Sequence, residues 1–157
     1  MNLLLLNLLL ALGWSLVVGS YTLVTFAAGF ALGYFALWIV RPLYGPTRYF
    51  GRFWLLLRLL GYFLYELVLS SLRVAWDSLT PTHLSSPGIL GIPLDVRTDA
   101  EILLLANLVS LTPGTLSLEI SQDRRTLYVH FMFADDPDAQ RARIKNGIER
   151  RLLEMMR

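Results

Sequence analysis

The sequence predicts a membrane α-helical part followed by a small α/β domain: an N-terminal two-helix transmembrane hairpin, a long amphipathic interfacial helix and a cytoplasmic β-α-β-β-α unit. Three observations carry this reading. Charge is uneven: residues 1–72 hold Arg41, Arg48, Arg52, Arg58 and Glu66, and every other charged side chain lies from Arg73 onward. The first forty residues form two apolar runs. After residue 88, apolar residues recur at the helical and strand periods of a soluble domain. Composition agrees: 55% of residues are hydrophobic and 17% charged, against about 25% charged in ordinary soluble domains.

The segments follow in order. Residues 1–41 read as the hairpin. Leu3 to Val18 is apolar apart from Asn7, Gly13, Trp14 and Ser15, with no basic leader and no cleavage site after it, so it does not read as a cleaved signal. Gly19-Ser20 breaks it. Tyr21 to Val40 supplies the second run, near the ~20 residues that a bilayer core requires. Arg41, Arg48 and Arg52 flank the exit of that run, and the turn carries no basic residue. The positive-inside rule therefore puts the amino terminus and Arg41 in the cytoplasm.

Pro42 ends the second helix, Gly45-Pro46-Thr47 turns the chain, and Thr47 can cap the next helix. That helix occupies residues 47–79. On a helical wheel Arg48, Arg52, Glu66, Arg73 and Asp77 share a narrow arc, with Arg58 at its edge and apolar residues elsewhere. Such a helix lies in the interface with its charged stripe toward water, or forms a third span if the stripe packs on a partner. Residues 80–88, rich in Pro, Ser and Gly, read as a linker to the domain at 89–157.

Within the domain, Ile89 to Val96 is a strand that Pro93 restricts to an edge or a bulge. Thr98 and Glu101 form a capping box opening a helix to about Leu111. Leu116, Leu118 and Ile120 alternate with polar residues, and Leu127, Val129, Phe131 and Phe133 mark the returning strand of a hairpin. Asp136-Pro137 starts a last helix reaching about Met156, with Ile144, Ile148, Leu152 and Met155 on one face.

Chemistry-bearing residues are few. The formal net charge is +2, Lys145 is the single lysine, and there is no cysteine. This excludes thiolate chemistry and disulfides and gives no basic track for nucleic acid. His83 in the linker and His130 on a strand have no acidic residue or second histidine at ligand spacing. No phosphate loop, dinucleotide fingerprint, nucleophile elbow or zinc motif occurs. The sequence therefore implies no cofactor, metal, catalytic residue or small-molecule substrate.

Asn7 reads as a contact to a neighbouring helix or subunit, or as an interfacial position near the helix start. Gly29 and Gly33 form a G-x-x-x-G pair that lets helices approach closely, the partner being the first helix or another chain. Arg58 and Glu66 are the charges in the most apolar part of the third helix. They read either as members of the water-facing stripe or as intramembrane ionisable groups. The wheel favours the stripe.

Residues Leu104 to Thr115 read Leu-Leu-Ala-Asn-Leu-Val-Ser-Leu-Thr-Pro-Gly-Thr. Gly88-Ile-Leu-Gly-Ile-Pro93 lies upstream, with Asp123 and Thr126-Leu-Tyr-Val-His130 downstream. With Asn7, Trp14 and Tyr21-Thr22 in the hairpin, this pattern closely resembles the MnhE (PhaE) subunits of Mrp-type multisubunit sodium/proton antiporters over essentially the whole chain. The resemblance implies an accessory subunit of a bacterial cytoplasmic-membrane complex, partnered by the other subunits and the bilayer. The resemblance further implies that it is needed for assembly and activity, while the large antiporter-like subunits carry the exchange. Thr112, Pro113, Gly114 and Thr115 correspond to the family's signature turn. Two rival functions are a direct contribution to an ion path through Asn7, Arg58 or Glu66, and a membrane-anchored adaptor or sensor whose α/β domain binds a soluble factor.

Overall fold

The structure is a computed structural model and describes residues 3–43, 49–81 and 85–157. The Gly45-Pro46-Thr47 turn, Arg48 and His83 lie outside the described residues. The chain forms two compact units, 1–53 and 54–157.

The first unit contains α1 (Leu3–Val18), α2 (Leu23–Ile39), a 3-10 turn (Arg41–Leu43) and the start of α3 (Tyr49–Leu79). α1 buries Leu3, Asn7, Ala11 and Ser15, and α2 buries Gly29, Gly33 and Leu37. Both sets recur every four residues and give each helix one packed stripe. The remaining surface is apolar and exposed, including Leu5, Leu9, Leu16, Val24, Phe35 and Trp38. Gly19, at φ 70, closes α1. The Ser20 amide donates to Ser15 O and the Gly19 amide to Leu16 O, each at 3.2 Å, which is a Schellman termination that favours glycine. α2 starts two residues later than the apolar run because Thr22 acts as its cap and accepts from the Thr25 amide.

α1 and α2 have 16 and 17 residues, and α3 is the one described helix long and apolar enough to cross a membrane. At ~1.5 Å rise per residue the first two extend ~24–26 Å, short of a ~30 Å hydrocarbon core.

The second unit holds the rest of α3, β1 (Gly88–Pro93), α4 (Asp99–Leu111), β2 (Thr115–Ile120), β3 (Thr126–Phe131), α5 (Pro137–Ile144), a π-helical segment (Lys145–Glu149) and α6 (Arg150–Met156). The sheet is antiparallel with order β1-β3-β2. β1 is an edge strand, and Pro93, at its end, opposes Thr126. Ser86 already bridges to Phe133, so pairing with the domain begins inside the segment 80–88. β2 carries a bulge between Ser117 and Glu119.

Leu127, Val129 and Phe131 of β3 point into the core with Ile92, Ile102, Leu105, Val109, Ile144, Ile148 and Leu152. Leu59 of α3 belongs to the same cluster, and Tyr62 packs against it. α3 thus contributes Leu59 to this unit's core, and residues 54–79 group with the domain. The reason is the missing cover: α4 and α5–α6 leave the core open beside Val109 and Ile148, and Leu59 and Tyr62 of α3 pack there.

The last helix is also interrupted. The π-helical turn sets Gly147 against Tyr62, where a Cβ would overlap the tyrosine hydroxyl. Arg151 stacks on the Tyr62 ring at 3.8 Å and donates to Gly147 O at 2.9 Å and Asn146 O at 3.1 Å.

Candidate functional site: the polar seam of the long helix

Tyr62, Glu66, Ser70 and Asp77 lie on one side of α3, and the last three are buried. Glu66 is 6% exposed. Arg143 of α5 donates its Nε to Glu66 Oε2 at 2.8 Å. Its Nη2 donates to the same oxygen and, at 2.9 Å, to Ser70 Oγ. Tyr62 donates its hydroxyl to Glu66 Oε1 at 2.9 Å. Both carboxylate oxygens are therefore engaged. Hydrogen-bonded charge pairs of this kind are the strong ones, and their desolvation cost is met only when each lone pair has a partner.

This corrects the water-facing stripe at Glu66 and Asp77, while Arg52, Arg58 and Arg73 are exposed. Glu66 faces the chain's own α/β domain, as do the buried Ser70 and Asp77. Arg58, at the arc's edge, is half exposed and pairs with Glu154 of α6 at 3.4 Å. Arg73 lies over the Phe133 ring at 5.9 Å. The wheel correctly collects these residues on one side. It carries no information about what lies opposite them, and Arg143 and Arg151 have no sequence signal that marks them as the partners.

Thr112 to Thr115 adjoin the same seam. Thr112 is buried and donates its hydroxyl to Leu108 O at 3.0 Å. The Thr115 hydroxyl stands 2.7 Å from Val109 O and 2.8 Å from Thr112 O, so it covers carbonyls freed at the end of α4. Gly114 has φ +82, and a Cβ there would touch Val74 of α3 at 3.4 Å. Its carbonyl accepts the Met132 amide at 2.8 Å. A cavity of about 20 Å³ lies between Tyr62, Glu66, Thr112, Thr115 and Arg143. That is room for roughly one water molecule, far below the ~300 Å³ of small ligand pockets.

Asn7 and the glycine pair meet inside the first unit. Gly33 lies against Asn7, where a Cβ would overlap Oδ1, and a Cβ at Gly29 would stand 2.8 Å from Trp14 Cβ. The close-packing partner of the G-x-x-x-G pair is therefore α1 of the same chain. Asn7 donates its Nδ2 to the Tyr49 hydroxyl at 2.9 Å, while its Oδ1 is buried without a hydrogen-bond partner among the described residues. Tyr49 belongs to an aromatic group around Tyr34 with Phe50 and Phe53.

A second ionic cluster, unforeseen in the sequence, fixes the far end of the domain. Glu149 is 1% exposed and accepts the Asp95 and Val96 amides at 2.6 and 3.1 Å. Lys145 bridges Asp95 at 2.5 Å and Glu149 at 2.7 Å. Burial alone lowers the Lys145 pKa, but the two carboxylates outweigh it and the net shift is upward. Glu101 completes the capping box with Thr98. The Arg97 amide, against a smaller opposing effect of burial, holds its carboxyl below the ordinary value of 4.5. His130 lies on β3, half-buried. Among the described residues no group of three or more His, Asp or Glu side chains could hold a metal ion.

Comparison with known proteins agrees with the geometry of a helical hairpin and a small α/β domain. The family model described as MNHE, Na+/H+ ion antiporter subunit, matches residues 7–155. The E subunit of the Na(+)/H(+) antiporter of Alkalihalophilus pseudofirmus is 36% identical over 151 residues, covering 96% of each chain. That of Bacillus subtilis is 32% identical over 153 residues, covering 98% of this chain and 97% of the relative. Among solved structures, a chain of the Mrp complex from Dietzia sp. matches with TM-score 0.51 and 29% identity, over 62% of this chain and 92% of that one. A chain of an archaeal membrane-bound sulfane sulfur reductase shares the fold, with TM-score 0.54 and 21% identity, over 85% of this chain and 84% of that one. A match running from Asn7 to Met155, through the hairpin, the seam and the signature turn alike, leaves one assignment: the chain belongs to the MNHE family of Na+/H+ ion antiporter subunits, the E subunits of Mrp-type antiporters.

Proposed function

We propose that this chain is an accessory subunit of a sodium (cation)/proton antiporter complex in the bacterial cytoplasmic membrane, required for assembly and activity without carrying ions itself. Its partners are the other subunits of a Mrp-type complex and the bilayer. The observation that carries this is the engagement of Glu66. Both its oxygens are taken by Tyr62 and Arg143, and Arg58 is paired with Glu154. An ion-path carboxylate has to bind and release its ion or proton in each cycle, and a carboxylate held by a guanidinium and a phenol is poorly suited to that. The 1–41 hairpin supplies the membrane anchor, and the basic residues after α2 support a cytoplasmic location for 89–157.

The test neutralises the charges in the whole complex. Glu66→Gln and Arg58→Gln are expected to leave cation/proton exchange per assembled complex unchanged in inverted vesicles, with any loss explained by reduced recovery of the other subunits. Normal recovery with abolished exchange would place these residues in the transport step. One observation favours that second reading for a different residue: Asn7 Oδ1 is buried and unpaired among the described residues, so Asn7→Ala belongs in the same assay.

A further inference from the structure

α3 has the length and composition of a membrane span, and its own domain denies it that role. Arg143 is seated on Glu66 and Ser70, near the middle of the helix. A spanning α3 would hold this point at the bilayer centre and carry α5 there with it. α5 reads Pro-Asp-Ala-Gln-Arg-Ala-Arg-Ile, and its Asp138 and Arg141 pair with each other while their side chains remain 93% and 38% exposed. Exposed charges of this kind are expelled from hydrocarbon.

The side of α3 opposite the seam has the reverse character. Trp54, Leu57, Leu64, Val68 and Leu72 are all exposed on it, and Gly61 beside them meets nothing within 4 Å. From Trp54 to Leu79 this face runs about 39 Å at 1.5 Å per residue, with Trp54 near its start. Indole rings favour the headgroup level of a bilayer. A helix with an exposed aliphatic face and with Glu66 and Ser70 on its other side bonded to its own domain has the form of an interfacial anchor.

We propose that the occupant of this face is the phospholipid bilayer itself: α3 lies along the membrane surface, lipid on one side and its own α/β domain on the other. The polar stripe is then an internal clasp that fixes the domain to a membrane-lying helix. This rests on the reading of the chain as part of a membrane complex and adds what α3 contacts.

The chain has no cysteine, so one introduced thiol per variant can be labelled in the full-length protein without a competing site on this chain. Leu57→Cys, Leu64→Cys, Val68→Cys and Leu72→Cys are spin-labelled one at a time in the assembled complex in lipid nanodiscs. Accessibility to oxygen and to a water-soluble nickel chelate then gives the depth of each. Equal, shallow depths at all four positions, near the headgroup–acyl boundary, are expected. A profile deepest at Leu64 and shallow at Leu57 and Leu72 would make α3 a span and overturn the proposal. Labels shielded from both reagents would overturn it in favour of a protein partner. The accessory-subunit reading fails by a different signal, loss of exchange in a fully assembled complex, so the two outcomes are separable.

Discussion

Glu66 concentrates the chemistry of the molecule in one side chain. It lies in a helix that is otherwise mostly apolar, it is almost fully buried, and Arg143 and Tyr62 share its two oxygens. A buried pair of this kind should couple strongly, although Arg143 retains 29% of its side-chain exposure and solvent screening reduces the effect. A double-mutant cycle with Glu66→Gln and Arg143→Gln, read by thermal denaturation in detergent, should give a coupling of roughly 1–2 kcal/mol. The same cycle on Arg124 and Asp99, 2.5 Å apart but with side chains 64% and 80% exposed, should give less than about 0.5 kcal/mol. Equal couplings would mean that the seam is as wet as the surface. Glu66 also marks the limit of sequence reading. Its arc was legible from spacing, but its partner comes 77 residues later, and no periodicity reaches that far.

Among the elements, those defined by local chemistry were the legible ones. The Thr98–Glu101 capping box forms as its spacing requires, the β2–β3 hairpin follows the alternation of its residues, and Asp136-Pro137 starts α5. The π-helical turn was not legible. Its cause is tertiary: Tyr62 needs the space beside Gly147, and Arg151 satisfies the carbonyls that the wider turn frees. This gives two glycines opposite signs. Gly61→Ala, in open space on α3, should stabilise by up to about 1 kcal/mol through helix propensity alone. Gly147→Ala forces the new methyl into the Tyr62 hydroxyl and should destabilise by about 1–3 kcal/mol. Melting temperatures of the two variants check this, and a stabilised Gly147→Ala would remove Tyr62 as the reason for the turn.

At the scale of the whole molecule, α3 is where composition and architecture diverge. Its apolar content fits a membrane element, while Leu59 lies in the core of the 54–157 unit and is 6% exposed. Leu59→Ala should cost about 2–4 kcal/mol by cavity formation, whereas Leu60→Ala, at a site 48% exposed, should change stability in detergent by less than about 0.5 kcal/mol. Denaturation of both variants followed by near-ultraviolet circular dichroism measures the contrast, and similar costs would show that α3 is not part of the core. The α/β order and the two apolar runs could be read from the sequence because each rests on neighbours a few residues apart. The boundary at Phe53 could not, because it depends on which core needed a cover.

The clasp also has a consequence in time. Ribosomes release Glu66 well before Arg143 exists, because 77 positions separate them. At about 5–20 residues per second this interval is roughly 4–15 s. Throughout it Arg143 is absent, and the carboxylate is left with water and the Tyr62 hydroxyl one turn earlier on α3. A nascent helix with an unpaired charge near its centre is a poor substrate for insertion. On the proposed interfacial placement of α3, the delay would help hold the helix at the aqueous boundary until α5 arrives to close over it.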